Sequence, residues 1–158
     1  PEMRGGTANC AVILSEEPIG SPMVSEPDVL IAMNLPSLSA YQARVRAGGE
    51  IIFDASLIRD MPEREDVCLR ALPATRLAAD AGLEGLSNMI LLGAFLLDCL
   101  PLSESQLRHA LEQTVPKHKA HLVEANQHAI ALGKQEAAQV KQEAPAQTCA
   151  SARPRKAG

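Results

Sequence analysis

Apolar residues fall in short, nearly unbroken runs over the first half of the chain and recur at helical spacing over the second. The first kind of pattern predicts strands buried on both faces; the second predicts amphipathic helices. Thr7–Ser15, Asp28–Asn34, Glu50–Ala55 and Asp66–Leu72 read as four strands. Between the second and third, Pro36–Val45 reads as a helix capped by Asn34 or Ser37 and stopped at Gly48-Gly49. Residues 16–27 carry three prolines, a glycine and two serines, the composition of a loop. Thr75–Ala81 is a short helix with Gly82 in the stopping position. Ser87 or Asn88 opens an almost wholly apolar helix through Cys99. Ser103 with Gln106 fits a capping box opening a helix to about Val115, and Pro116 starts another to about Leu132. Strands interleaved with a helix, then a run of helices, predict an α/β fold. The expectation is a three-layer α/β/α arrangement with a mixed, mainly parallel sheet, followed by C-terminal helices.

The pattern changes at residue 134. Lys134-Gln-Glu-Ala137 is echoed by Lys141-Gln-Glu-Ala144 and followed by Pro, Ser, Arg and Lys. Residues 134–158 hold five basic and two acidic side chains but few large apolar ones, too few to offset the entropy of ordering. The chain thus divides into an α/β domain over 1–133 and a tail over 134–158, expected to be disordered beyond a helical extension.

Composition narrows the function classes. With 46% hydrophobic but only 2% aromatic residues, the core must be aliphatic, and stacking platforms for single-stranded nucleic acid are lacking. A net charge of −4 offers no broad basic field for a phosphate backbone, so no nucleic-acid partner is expected. The longest apolar run, Met89–Leu97, is nine residues, against roughly 20 for a membrane span. Four dispersed cysteines (Cys10, Cys68, Cys99, Cys149) form no C-x-x-C pair and read as thiols in a reducing cytoplasm rather than zinc or iron–sulfur ligands.

Each candidate site has a plainer reading beside it. In Glu2-Met-Arg-Gly-Gly-Thr-Ala-Asn9, Arg4 offers a planar fork for carboxylate or phosphate, while Gly5 and Gly6 permit close backbone approach. The plainer reading is a tight turn with a surface arginine. Pro18-Ile-Gly-Ser-Pro22, with Ser21, is either a rigid loop beside a cleft or an ordinary connection. Asn34 ends an apolar strand, where open α/β sheets bind ligands, but it also suits a helix cap. His118, His121 and His128 share a helical stripe, yet Lys117 and Lys119 make a solvated basic face the better reading than a metal site. Gly93, inside the apolar helix, implies close helix approach, with part of that helix's burial expected from a partner subunit. No nucleophile elbow, phosphate loop or zinc-protease motif is present in the sequence.

The segment Pro1–Cys10 (PEMRGGTANC) resembles the gamma subunit of the 2-oxoacid:ferredoxin oxidoreductases. The likeness continues through Glu17–Pro22, Ser25–Asn34 with Pro36-Ser37, Pro73-Ala-Thr75, Asn88-Met89 with Gly93-Ala94, and ends near Asn126, Ala129 and Gly133. The Glu-Met-Arg-Gly-Gly-Thr-Ala-Asn form is similar to that of the 2-oxoglutarate and branched-chain 2-oxoisovalerate enzymes. The resemblance implies an accessory subunit of an enzyme that converts a 2-oxoacid and coenzyme A to acyl-coenzyme A, carbon dioxide and reduced ferredoxin. It implies alpha and beta partners, with a ferredoxin-like delta subunit in some members, and ferredoxin and coenzyme A at the level of the complex. Thiamine diphosphate, magnesium and iron–sulfur clusters are then expected on partner subunits, none being bound by this chain alone. The family's opening strand and Gly-x-Gly-Gly-Gln-Gly loop have no counterpart here, so an amino-terminally truncated domain is expected. Two alternatives remain: a small-ligand module with Arg4, Gly5, Gly6 and Asn34 around an anion such as a coenzyme A phosphate, Asn9 and Ser21 being further ligand or cleft candidates, and a purely structural scaffold.

Overall fold

Three strands, β1 (Val29–Ala32), β2 (Glu50–Asp54) and β3 (Cys68–Leu72), lie side by side in chain order and all run parallel. A computed structural model describes residues 8–21, 23–62, 64–100 and 102–143. The register places Ile52 between Ile31 of β1 and Arg70 of β3. Among the described residues the sheet is therefore parallel rather than mixed. Each new strand is reached by a crossover, first through α1 (Leu35–Tyr41) and a 3-10 turn (Gln42–Arg44), then through residues 55–67, which returns the chain in the same direction.

Alternation along β2 builds the two cores. Ile51 and Phe53 face one way, with Ala32, Leu38, Val45, Ile58 and Val67. Ile52 faces the other, with Leu72, Ala74, Ala78, Ile90, Leu91 and Ala137. Ile51, Ile52 and Phe53 are fully buried, each burial favouring the fold by about 1.5–3 kcal/mol. A central strand flanked on both sides must be apolar throughout, and β2 is so except at its ends. The result is three layers: α1 with residues 58–67, the sheet, then α2 (Ala74–Asp80), α3 (Ser87–Asp98) and α5 (Leu122–Glu143). Helix α4 (Glu104–Thr114) packs outside, with Leu111 against Leu96, Val123 and Ile130.

Local signals account for most helix ends. Asn34 caps α1, its Oδ1 accepting from the Ser37 backbone N–H at 2.9 Å, so Ser37 supplies a donor and is not the cap. Ser103 and Gln106 form the expected capping box of α4. Helix α3 instead begins after Leu86 with no side-chain cap, so neither Ser87 nor Asn88 caps it. Three arginines fasten the far end of α1. Arg44 donates to the carbonyls of Val24 and Ser25, and Arg46 pairs with Asp28. Arg64 reaches the carbonyls of Gln42 and Val45 while holding Asp66 through two contacts.

Two glycines set the closest approach in the molecule. A Cβ at Gly93 of α3 would lie 2.2 Å from the Ile130 backbone oxygen, and one at Gly133 of α5 would lie 1.9 Å from the Ile90 backbone oxygen. The two helices touch backbone to backbone. Close approach at Gly93 was expected; its partner is α5 of the same chain. Ile90, Leu91, Ala94 and Leu96 are likewise buried by the chain's own helices and β2, so no partner subunit is needed to cover them.

Two expectations need correction. Described residues 8–15 form no strand, and Val12 and Leu14 are 75% and 64% exposed. A strand exists only with a neighbour's backbone groups to pair with, and none lies beside this segment among the described residues. The last long helix starts at Leu122, not Pro116, because a 3-10 turn (Lys117–Lys119) intervenes. It runs on to Glu143, the helical extension allowed for beyond 133, with Ala137 fully buried. Residues 144–158 lie outside the described region.

Candidate functional site

In an open parallel sheet the strand ends at the carboxyl side are where loops converge and ligands are bound. Here that edge carries Asn34 after β1, Asp54 and Ser56 after β2, and Thr75 after β3. Asp54 is fully buried, and both of its carboxylate oxygens are engaged. Oδ1 accepts from the Ser56 N–H at 2.9 Å; Oδ2 accepts from the Thr75 N–H at 3.1 Å and the Thr75 hydroxyl at 2.5 Å. Ser56 Oγ in turn accepts from the Arg76 N–H at 3.1 Å. A carboxylate at a helix start is favoured by the unpaired N–H groups there. This one ties β2 to the first turn of α2, with both oxygens engaged by Ser56 and Thr75. A shallow recess of about 130 Å³ adjoins it, lined by Thr75, Ala78, Ala79, Glu84, Gly85 and Ser87. A second, of about 310 Å³, flanks α1 between Leu35, Leu38, Ser39, Gln42 and residues 60–62. Gln42 Oε1 is buried without a partner among the described residues.

The sequence-predicted residues are not gathered at this edge. Arg4, Gly5 and Gly6 lie outside the described residues. Asn9 is exposed, and its amide nitrogen donates to the Tyr41 hydroxyl. Ser21 is exposed, its Oγ accepting from the Met23 N–H at 3.2 Å. Asn34 is exposed and occupied as the α1 cap. Asn34 stands at the first end of α1 and Asn9 reaches Tyr41 at the last, about 10 Å apart for a helix of this length. His118, His121 and His128 are all exposed, and no group of three metal-ligating side chains exists among the described residues.

The opposite, amino-terminal edge holds a cluster that sequence reasoning missed. Glu50 opens β2 and is 4% exposed; Arg70 of β3 is 5% exposed. The Arg70 Nη2 lies 2.7 Å from Glu50 Oε1 and 2.8 Å from Asp98 Oδ2, while Nη1 donates to the Ala94 carbonyl at 3.0 Å. Oε1 of Glu50 is close to the guanidinium but out of line with its N–H bonds, so that contact is ionic without an aligned hydrogen bond. Its Oε2 accepts from the Cys99 thiol at 3.3 Å. Lys141 of α5 reaches Asp98 Oδ1 at 3.1 Å. Burial raises the proton affinity of Glu50 above the ordinary carboxylate range, against the pull of Arg70. Burial also opposes the charge on Asp98, but hydrogen bonds from Arg70 and Lys141 prevail and lower it. The Cys99 thiol is pushed up to about 12, by burial first and then by the Glu50 charge. A protonated thiol beside a carboxylate is a poor nucleophile. Cys10 and Cys99 are free thiols, whereas Cys68 is disulfide-bonded; the spacing of cysteines in sequence carried no information on which would meet in space.

Comparison with known proteins places this architecture. The pyruvate ferredoxin/flavodoxin oxidoreductase family model matches residues 1–136. Ketoisovalerate oxidoreductase subunit VorA of Methanothermobacter marburgensis is 37% identical over 115 residues, covering 72% of this chain and 24% of that protein. The 2-oxoglutarate synthase subunit KorC of the same organism is 33% identical over 122 residues, covering 73% of this chain and 66% of that protein. The chain therefore spans about a quarter of one relative's length and about two thirds of the other's. The gamma subunit of a keto/oxoacid ferredoxin oxidoreductase from Geobacter sulfurreducens superposes with a TM-score of 0.61 at 25% identity, over 71% of this chain and 64% of that one. A 2-oxoglutarate:ferredoxin oxidoreductase from Magnetococcus marinus shares the fold, with a TM-score of 0.60 at 23% identity over 71% of this chain and 20% of that one. With a match from residue 1 to residue 136 and a parallel three-stranded core like that of a solved gamma subunit, the chain belongs to the pyruvate ferredoxin/flavodoxin oxidoreductase family.

Proposed function

We propose that the chain is the gamma-type accessory part of a 2-oxoacid:ferredoxin oxidoreductase. It acts in the cytoplasm with alpha and beta subunits and, in a four-subunit form, a ferredoxin-like delta. The observation that carries this reading is the family match over 1–136, joined to likeness with subunits of a ketoisovalerate oxidoreductase and a 2-oxoglutarate synthase and to superposition on a solved gamma subunit. The substrate is a 2-oxoacid, either 2-oxoglutarate or a branched-chain one, and the product an acyl-coenzyme A.

Thiamine diphosphate, magnesium and iron–sulfur clusters are implied for such an enzyme. The described residues do not fit them. A cluster needs several converging thiolates, and magnesium needs converging carboxylates or carbonyls; no three metal-ligating side chains converge among the described residues. The carboxylate best placed on the ligand edge, Asp54, is buried with both oxygens already engaged by Ser56 and Thr75. No step is therefore routed through these groups on this chain. Its own contribution is binding and orientation: Arg4, with Gly5 and Gly6, would grip the carboxylate of a 2-oxoacid or a phosphate of coenzyme A.

Reconstitution tests this. Ferredoxin reduction by 2-oxoglutarate or 2-oxoisovalerate with coenzyme A should require the chain together with its alpha and beta partners. Arg4→Ala should raise KM for the oxoacid or coenzyme A at least tenfold while leaving the assembly intact. Turnover by the chain alone, or full turnover by the partners without it, would overturn the reading. Coenzyme A binding to the isolated chain by calorimetry, lost in Arg4→Ala, would favour a self-sufficient ligand module.

A further inference from the structure

The family match ends at residue 136, yet α5 continues to Glu143. These last two turns lie over the buried charged cluster at the amino-terminal edge of the sheet. Their attachments differ in kind from those of the rest of the helix. Up to Gly133, α5 is locked to α3 by backbone-to-backbone contact at Gly93 and Gly133. Beyond it, among the described residues, the hold is made by Ala137, buried but small, half-buried Ala138 and Val140, and the Lys141–Asp98 ion pair, whose lysine is 56% exposed. An exposed ion pair is weak and screened by salt.

What lies beneath is polar. Glu50 is buried with one carboxylate oxygen lacking an aligned hydrogen bond, Arg70 is shared between Glu50 and Asp98, and the Cys99 thiol donates to Glu50. Water admitted here would solvate charges that are incompletely satisfied, so opening would be offset in a way that exposing an apolar core is not. Local opening concentrates where apolar contacts are few and the groups released are polar.

We propose that the last two turns of α5, from Ala137 to Glu143, are a strap that closes over the Glu50–Arg70–Asp98–Cys99 cluster, pinned by Lys141, and lifts while the α3–α5 lock holds. The device is independent of the proposed enzyme function, and it would give the molecule a salt-sensitive opening on the side of the sheet away from the ligand edge. Cys99 is its built-in reporter: its thiol is half-buried and held by Glu50, and it becomes more reachable and more reactive when the strap lifts and Glu50 gains water.

Labelling of the full chain with iodoacetamide at pH 8, with each cysteine followed by peptide mass spectrometry, reads this directly. In wild-type protein Cys99 should label more than tenfold slower than exposed Cys10. Lys141→Gln should speed Cys99 labelling at least threefold with Cys10 unchanged; Lys141→Arg should restore the slow rate, and 0.5 M salt should speed wild-type labelling toward the Lys141→Gln rate. Circular dichroism must show the variants folded, and unfolding of the Lys141→Gln protein would move the test to the salt series on wild type. Cys99 labelling indifferent to both Lys141 and salt would overturn the proposal. So would labelling at the rate of global unfolding in denaturant-matched samples.

Discussion

Glu50 shows how one side chain can set a pH dependence for the molecule. Its folded-state proton affinity is raised by burial above the ordinary glutamate value of 4.5. The native state therefore binds a proton more tightly than the unfolded chain, and the stability this contributes is complete below pH 4.5. It is lost as pH rises through the higher folded value. Asp98 has the opposite sign: lowered below 3.8, its contribution is present above that value and lost on acidification. Glu50→Gln removes the first effect alone. The expected result is a urea midpoint that, compared with wild type, no longer falls as pH rises from about 4.5 toward neutrality; parallel profiles for the two proteins would show that Glu50 does not titrate as its burial demands. Legibility at this scale was uneven. Asn34 could be read as a cap because capping depends on a residue type three positions from a donor, and the cap is what formed. Glu50 and Arg70 gave no such signal. A charged residue in a strand reads as exposed until the helices that bury it are known, and those helices begin only at Ser87 and Leu122, after β3.

Among the elements, the α3–α5 pair carries the sharpest packing constraint. Both obstructing atoms at Gly93 and Gly133 are backbone oxygens, which no rotamer change can move. Gly93→Ala gains about 1 kcal/mol in helix propensity but forces the helices apart. The net should be a destabilisation of about 2 kcal/mol or more, the usual consequence of overfilling a packed interface. Chemical denaturation of Gly93→Ala and Gly133→Ala checks it; neutral effects would mean the helices are not in backbone contact. Elements were legible where their cause is local. The apolar runs of β1, β2 and β3 and the capping box of α4 all depend on neighbours in sequence, and all formed within a residue or two of expectation. The segment 8–15 failed for the complementary reason. Its sequence is that of a strand, but a strand is made by its neighbour, and sequence alone does not say whether a neighbour is there. Helix α5 outran its expected end because Ala137 packs in the core, which the polar composition around it concealed.

For the whole molecule, the distribution of exposed apolar side chains bears on the proposed assembly. Val12, Leu14, Ile19 and Met23 are all exposed along one stretch of chain. Large apolar side chains left exposed are candidates for surfaces that partners cover. Adding the alpha and beta subunits should slow amide hydrogen exchange across residues 8–23 at least tenfold, with little change in β2, which is already buried. Exchange in 8–23 that ignores the partners would remove this stretch from the interface. The layered α/β class was readable from the order of elements, because alternating strands and helices have few packing solutions. The position of the candidate site was not. Its best-placed carboxylate proved to be a fastener, and Arg4, Gly5 and Gly6 lie outside the described residues.

The order of the strands has a consequence for biogenesis. Because β1, β2 and β3 are adjacent in sequence as well as in space, the sheet can assemble as the chain leaves the ribosome, with α1 already covering one side. The other side waits. Ile52 is closed over by Ile90, Leu91 and Ala137, and α5 is the last described element to be synthesised. At ordinary translation speeds of about 5–20 residues per second, the nascent sheet presents an apolar face for on the order of 10 s before its cover exists. The interval most exposed to aggregation is therefore co-translational, and a slowed ribosome between β3 and α5 would lengthen it.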